Sequence, residues 1–260
     1  MDNMRRVAFD GLWLWQFAHL AAEKDIGHFV TDRSSAKTED GFTLSFSSHP
    51  DREYIRLNRS RLANAVGVLP QRLFLPSQVH GDRIVRVTPD TTTADLMETD
   101  ALVTSEKGVC IAVMSADCVP ILLYDPIKSV VAAVHSGWRG TVQKILAKTV
   151  TYLREHYNSQ PRDILAGIGP SVCQESYEVG GEVIEQVAAN FREADLLMIP
   201  TSKDKAKLDL WAANRIQLLD AGVAENNIRV ANLCTVIHNE WFFSARKGDK
   251  GRFAAGIVLR

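Results

Sequence analysis

The 260 residues carry 30 Lys and Arg against 31 Asp and Glu, for a net charge of -1, and 46% of them are hydrophobic, enough to bury a full core. The basic residues form no stripe, which argues against nucleic acid or an anionic membrane as partner and leaves a small molecule. Four cysteines without a C-x-x-C pair, and no apolar run of membrane-spanning length, predict reduced thiols in a cytoplasmic protein of one domain, 1–260.

Residues 7–22 follow Arg5-Arg6, and Asp10, Gln16 and His19 interrupt their apolar run. With no small-x-small cleavage site after it, this stretch predicts an amphipathic helix in an N-terminal extension, 1–26, rather than a secretion signal. Residues 31–41 are a polar loop and 41–47 alternate as a strand. The stretch 58–67 sets Leu62, Ala63 and Val66 on one helical face before a Gly67 stop. Strands at 73–79 and 84–87 flank the turn composition of His80-Gly81-Asp82. The apolar runs 109–114, 120–124 and 130–135 predict central strands. In 138–156, Val142, Ile145, Leu146, Thr149, Val150 and Leu153 recur at helical spacing, and the first amides of that helix are expected to point toward His135. A strand at 164–168, helices at 182–191 and 210–221 with Gly222 as stop, and strands at 228–233 and 254–259 follow. Without strict βαβ alternation the order predicts an α+β (α/β mixed) fold with mixed sheets rather than a doubly wound one.

Three side chains suggest chemistry: His80, Cys118 and His135, set in Gln78-Val79-His80-Gly81, Ala116-Asp117-Cys118-Val119-Pro120 and His135-Ser136-Gly137-Trp138-Arg139-Gly140. Singly each has a bland reading, the cysteine as a small buried hydrophobe and the histidines as structural residues. Together, two imidazoles and a thiolate make three soft ligands, the number that leaves a fourth position open on a catalytic zinc. Their spacing matches no zinc-finger pattern. Asp117 is the nearest carboxylate in sequence, but an extended chain would turn it away from Cys118, so it reads as structural; Asp100 shares that ambiguity. Trp138 suits stacking on a purine or, more commonly, packing in the core.

These three segments, with Asp100-Ala101-Leu102-Val103-Thr104, Gly169-Pro170, Tyr177-Glu178-Val179-Gly180, Leu208-Asp209-Leu210-Trp211-Ala212-Ala213-Asn214 and Phe242-Phe243-Ser244, resemble those of the YfiH or laccase-domain family, from about Gly27 onward. The resemblance implies stacked mixed sheets flanked by helices, distantly related to cysteine hydrolases. It also implies zinc on His80, Cys118 and His135, and phosphorolysis of adenosine, inosine and methylthioadenosine with adenosine deamination. Some members carry the label of peptidoglycan editing factor. The chain departs from the family pattern at Ser34-Ser35, Leu44-Ser45-Phe46 and Ser244-Ala245-Arg246-Lys247, which puts substrate preference in question more than the metal.

Phosphorolysis requires an anion pocket, for which Arg33, Arg59, Arg139 and Arg246 are the candidates, since a guanidinium fork matches phosphate oxygens. Surface ion pairing is the bland alternative for each. Copper is the second choice of metal: a blue-copper centre also uses two His and a Cys, with Met114 available as a weak ligand. A laccase, however, needs a trinuclear cluster that seven scattered histidines do not supply. A metal-free Cys118-His135 dyad is the competing hydrolase mechanism, and it has no use for His80. A zinc-dependent binding or editing module without turnover is the third. Monomer and homodimer both remain compatible with the sequence.

Overall fold

The computed structural model describes residues 3–260. It begins with a hairpin where a helix was expected: β1 (Met4–Phe9) and β2 (Leu12–Phe17) pair antiparallel across Asp10-Gly11. Both turn residues have positive φ, 44° and 75°, as the two-residue turn that matches strand twist requires. The hairpin is hydrogen-bonded through β2 to β3 (Ile26–Thr31), so the N-terminal segment is part of a sheet.

Helix α1 (Arg52–Val66) starts earlier than its apolar period suggests, because the Asp51 carboxylate accepts the amides of Glu53 and Tyr54; Gly67 closes it at φ 78°. Residues 41–47 form no strand, although Phe42 and Leu44 are buried. Strand β4 is only Leu73–Phe74, since Pro76 follows with no N–H for a ladder. Then come β5 (Ile84–Arg86), β6 (Ala101–Thr104), β7 (Cys110–Ser115), β8 (Val119–Asp125) and β9 (Val130–Ser136), the last three where the apolar runs placed them. The helix expected over 138–156 is two helices, α2 (Trp138–Val142) and α3 (Ile145–Tyr157), because Lys144 between them is left-handed at φ 62°. With five residues α2 presents no extended amide array, which corrects the expectation of a helix-terminal field at His135. The remainder is β10 (Leu165–Ile168), β11 (Glu178–Gly180), α4 (Gly181–Asn190), α5 (Ala194–Leu197), β12 (Met198–Ser202), β13 (Lys205–Leu208), α6 (Leu210–Asp220), β14 (Ile228–Val230) and β15 (Phe253–Leu259).

Two six-stranded mixed sheets stack, in orders β1-β2-β3-β15-β7-β4 and β14-β10-β8-β9-β6-β5, beside a small β11-β13-β12 sheet. Ile111, Val113, Phe253 and Ile257 of the first sheet meet Leu122, Tyr124, Val131 and Ala133 of the second in one buried cluster. On the far side of the second sheet, Ile121, Leu123, Ala132 and Val134 pack with Leu146, Val150 and Leu153 of α3 and Leu218 of α6. On the far side of the first, Cys110 and Ala112 pack with Leu62 of α1. The layers therefore run helix, sheet, sheet, helix. Because β8 and β9 are buried on both faces, they read as continuous apolar runs, as central strands do. Truncating one of their fully buried leucines, such as Leu122, would cost about 2–5 kcal/mol.

Candidate metal centre

The antiparallel register of β8 and β9 pairs Val119 with Ser136 and Pro120 with His135. Cys118, one residue before β8, and His135, one from the end of β9, therefore meet at the same end of the second sheet. Asp100 stands immediately before β6, whose Ala101 pairs with Val134, so it arrives beside His135. His80 lies in the loop between β4 and β5, in the left-handed region at φ 62°. Its loop is tied down by Asp100, whose carboxylate accepts the amides of Val79 at 3.1 Å, His80 at 3.1 Å and Gly81 at 2.9 Å. The same carboxylate meets Nδ1 of His135 at 2.8 Å. One fully buried side chain thus positions both imidazoles.

The ligand atoms of His80, Cys118 and His135 all lie within 4.8 Å of one another, and the two imidazole rings meet edge to face with centroids 4.9 Å apart. Gly137 makes room for them: a Cβ there would lie 2.8 Å from Sγ of Cys118 and 3.1 Å from Cδ2 of His80. Burial alone would push the Cys118 thiol up, but the charge and hydrogen bond of His135 and a hydrogen bond from His80 outweigh it and bring the thiol down to about 6. For His135 burial opposes the charged form, and the Cys118 charge with the Asp100 hydrogen bond overcomes it, raising the imidazole to about 9. Burial works against ionisation of Asp100 as well, yet the His135 hydrogen bond and charge and the Gly81 and Val79 amides hold its carboxyl below the usual range.

The three ligands open on a cavity of about 1420 Å³, lined also by Arg52, Arg56, Arg59, Arg246 and Arg252. Of the arginines expected from the sequence, Arg59 and Arg246 reach it. Arg246 donates its amide to Asp117 at 2.8 Å and a guanidinium N–H to the Glu178 carbonyl, and its guanidinium lies over Tyr177. Arg33 and Arg139 do not reach it. Arg33 is turned onto the Phe243 ring and bonded to Asp249 and the Asn239 carbonyl, while the exposed Arg139 covers Trp138. Trp138 packs against the core of the second sheet. Asp117 is not extended, at φ 91°, but its carboxylate is committed to the hydroxyl of Thr235 at 2.6 Å and to the Arg246 amide, so it acts as an anchor. Arg52, Arg56 and Arg252 are additional cavity residues. Residues 52, 56 and 59 share one face of α1.

The sequence profile described as "Multi-copper polyphenol oxidoreductase laccase" matches residues 27–260. The chain belongs to this family. It is 35% identical over 257 residues to a purine nucleoside phosphorylase of Bacteroides thetaiotaomicron, covering 94% of this chain and 95% of that protein. It is 39% identical over 212 residues to adenosine deaminase RL5 of an unknown prokaryotic organism, covering 78% and 80%. The fold matches the crystal structure of the Bacillus licheniformis hypothetical protein YfiH with a TM-score of 0.92 at 26% identity, covering all of both chains. The laccase-family description invokes several coppers, whereas His80, Cys118 and His135 form the one such ligand group among the described residues. The other histidines are dispersed: His28 accepts the Phe17 amide, His49 stacks on Tyr54, His156 on Tyr152 and His238 on Trp241, and His19 meets the Ala166 carbonyl. Among the described residues, this member of the laccase family therefore has one side-chain group that could hold a metal ion and no trinuclear histidine set.

Proposed function

We propose that this protein is a zinc-dependent purine nucleoside phosphorylase that also deaminates adenosine, acting in the cytoplasm on free nucleosides and inorganic phosphate. The observation that carries the reading is the convergence of His80, Cys118 and His135 within 4.8 Å on the wall of an arginine-lined cavity. Relatives bearing those two activities in their names support it, and four free cysteines agree with a reducing compartment. Two imidazoles and a thiolate suit zinc, and the carboxylate behind His135 is the usual outer partner of a zinc-bound histidine. When bound, zinc supplies a Lewis acid that lowers the pKa of water to about 7.

The chain's own residues do the rest. Asp100 holds the His135 proton on Nδ1 and leaves Nε2 as the ligand atom. Arg246, tethered beside Cys118 through Asp117, presents its guanidinium to the phosphate dianion. Phe74, Leu75, Leu96, Met97 and Met114 give the cavity an apolar wall for the purine.

The test is metal content by plasma mass spectrometry on protein purified without added metal, with adenosine-plus-phosphate turnover on the same samples, for wild type and His80→Ala. Near-stoichiometric zinc and turnover, both lost in the variant, are expected. Metal-free protein that keeps its activity would sink the zinc reading. It would favour the second one, a Cys118-His135 dyad, which rests on the mutual polarisation of the thiol and imidazole.

A further inference from the structure

The cavity holds more positive charge than one inorganic phosphate uses. Its lining has five arginines against a single carboxylate, Asp117, and that carboxylate is already committed to Thr235 and the Arg246 amide. Three of the five, Arg52, Arg56 and Arg59, belong to one face of α1. The guanidinium carbons of Arg52 and Arg59 lie 4.8 and 4.3 Å from the centroid of the same ring, Phe46. Among the described residues neither has a carboxylate within ion-pair distance.

Arg59 donates Nε to the Leu44 carbonyl at 2.9 Å, which orients the group and leaves its two terminal nitrogens for something else. Burial, and then the charge of Arg52, bring the Arg59 pKa down to about 10, which still leaves it cationic at neutral pH, so the two guanidinium groups repel. Two cations gathered in a cleft without a counter-charge cost free energy that a bound dianion offsets. Ser45 and Ser47, hydroxyls 3.0 Å apart, belong to the same lining.

The size points the same way. About 1420 Å³ exceeds the ~300–1,000 Å³ usual for a drug-sized ligand. In a nucleoside undergoing phosphorolysis, C1′ must face the attacking phosphate, and the 5′ oxygen is carried on the other side of the ribose ring oxygen. A second anion site in the same cavity is where a charged group carried on the 5′ oxygen would find its counter-charge.

We propose that Arg52 and Arg59, with the hydroxyls of Ser45 and Ser47, form a second anion subsite that takes a phosphoryl group on the 5′ oxygen, so that nucleoside 5′-phosphates bind more tightly than nucleosides. The inference rests on the nucleoside reading above. It is tested by calorimetric titration of the zinc-loaded protein with adenosine, adenosine 5′-monophosphate and inorganic phosphate, for wild type and Arg52→Gln, with adenosine turnover measured on the same preparations. Arg52 is exposed at the start of α1, so the variant is expected to fold. The expected result is about tenfold tighter binding of the monophosphate than of adenosine, a preference that shrinks with added salt and is largely lost in Arg52→Gln while adenosine binding holds. Equal affinities in wild type, or a preference unmoved by Arg52→Gln, would overturn it. So would a variant that weakens inorganic phosphate and not the nucleotide, since the subsite would then serve the free anion. Tight nucleotide binding by protein that does not turn over adenosine would keep the subsite and remove the phosphorolysis reading.

Discussion

Replacing Asp100 by asparagine changes one atom, yet the structure assigns it a large effect. The carboxylate accepts on Oδ1 from the His80 amide and His135 Nδ1, and on Oδ2 from the Val79 and Gly81 amides. An asparagine keeps one acceptor, so whichever way its amide is turned, two donors face an N–H₂ group instead of an oxygen. At about 1–3 kcal/mol for each donor left unpaired in a buried setting, the loss of stability is about 2–6 kcal/mol. The same change frees the His135 tautomer and loosens the His80 loop together, so metal affinity is expected to fall by at least the ~10–100-fold typical of a lost outer carboxylate. Urea melts and zinc competition against a chromophoric chelator measure the two effects separately. An Asp100→Asn protein that melts and binds zinc like wild type would refute the assignment of both imidazoles to this one carboxylate.

Gly137→Ala places a methyl 2.8 Å from the Cys118 sulfur; circular dichroism is expected to stay native while bound zinc drops well below stoichiometric, and full zinc occupancy would count against the packing. In chelator-stripped protein, iodoacetamide labelling of Cys118 is expected to fall as pH drops through about 6, where the thiolate is lost, and zinc should suppress it; peptide mass spectrometry reads both, and a midpoint near an ordinary thiol's would contradict the His135 and His80 effect. His28 is held down to about 3, by burial first and then by the charges of His19 and Arg5. Its stability contribution is therefore present above pH 6.5 and is lost as pH falls from there toward 3. Unfolding free energies from urea melts at pH 7.5 and 5 should differ by about 2 kcal/mol from this residue alone, with His19, lowered to about 4, adding in the same direction; a His28→Gln protein with the same pH dependence as wild type would assign the effect elsewhere.

The convergence of His80, Cys118 and His135 was legible because each sits in a segment whose Gly, Pro and polar neighbours have no use in a plain strand or helix. The central strands were legible because burial on both faces writes an unbroken apolar run. The interrupted apolar run of 7–22 mimics an amphipathic helix, whereas the signal of the hairpin is Asp10-Gly11 between two apolar stretches. The break at Lys144 was hidden by propensity, since Gln143 and Lys144 are good helix formers, while the Lys144 ammonium lies over the Phe191 ring at 3.1 Å, a contact across the fold. Asp100 was visible only as a carboxylate of ambiguous role: what it does depends on β6 lying beside β9, a sheet neighbour fixed by topology. The arginine face of α1 escaped because its first turn carries charge rather than apolar residues, so a hydrophobic period begins too late to include Arg52 and Arg56.

Strand β15 is wedged between β3 and β7, with Ala255 opposite Val30 and Phe253 opposite Ser115. Until residues 253–259 are in place the first sheet is two fragments with bare hydrogen-bonding edges, and a chain interrupted before them would expose both to intermolecular pairing. Closing so long a loop is slow. Strand β7 ends at Ser115, whose hydroxyl holds the Cys118 carbonyl at 2.6 Å, so the Cys118 thiol gains its full support only when that late pairing forms. Metal would then load onto a nearly finished protein instead of nucleating it, and zinc added early to refolding chains should not speed the appearance of the native state.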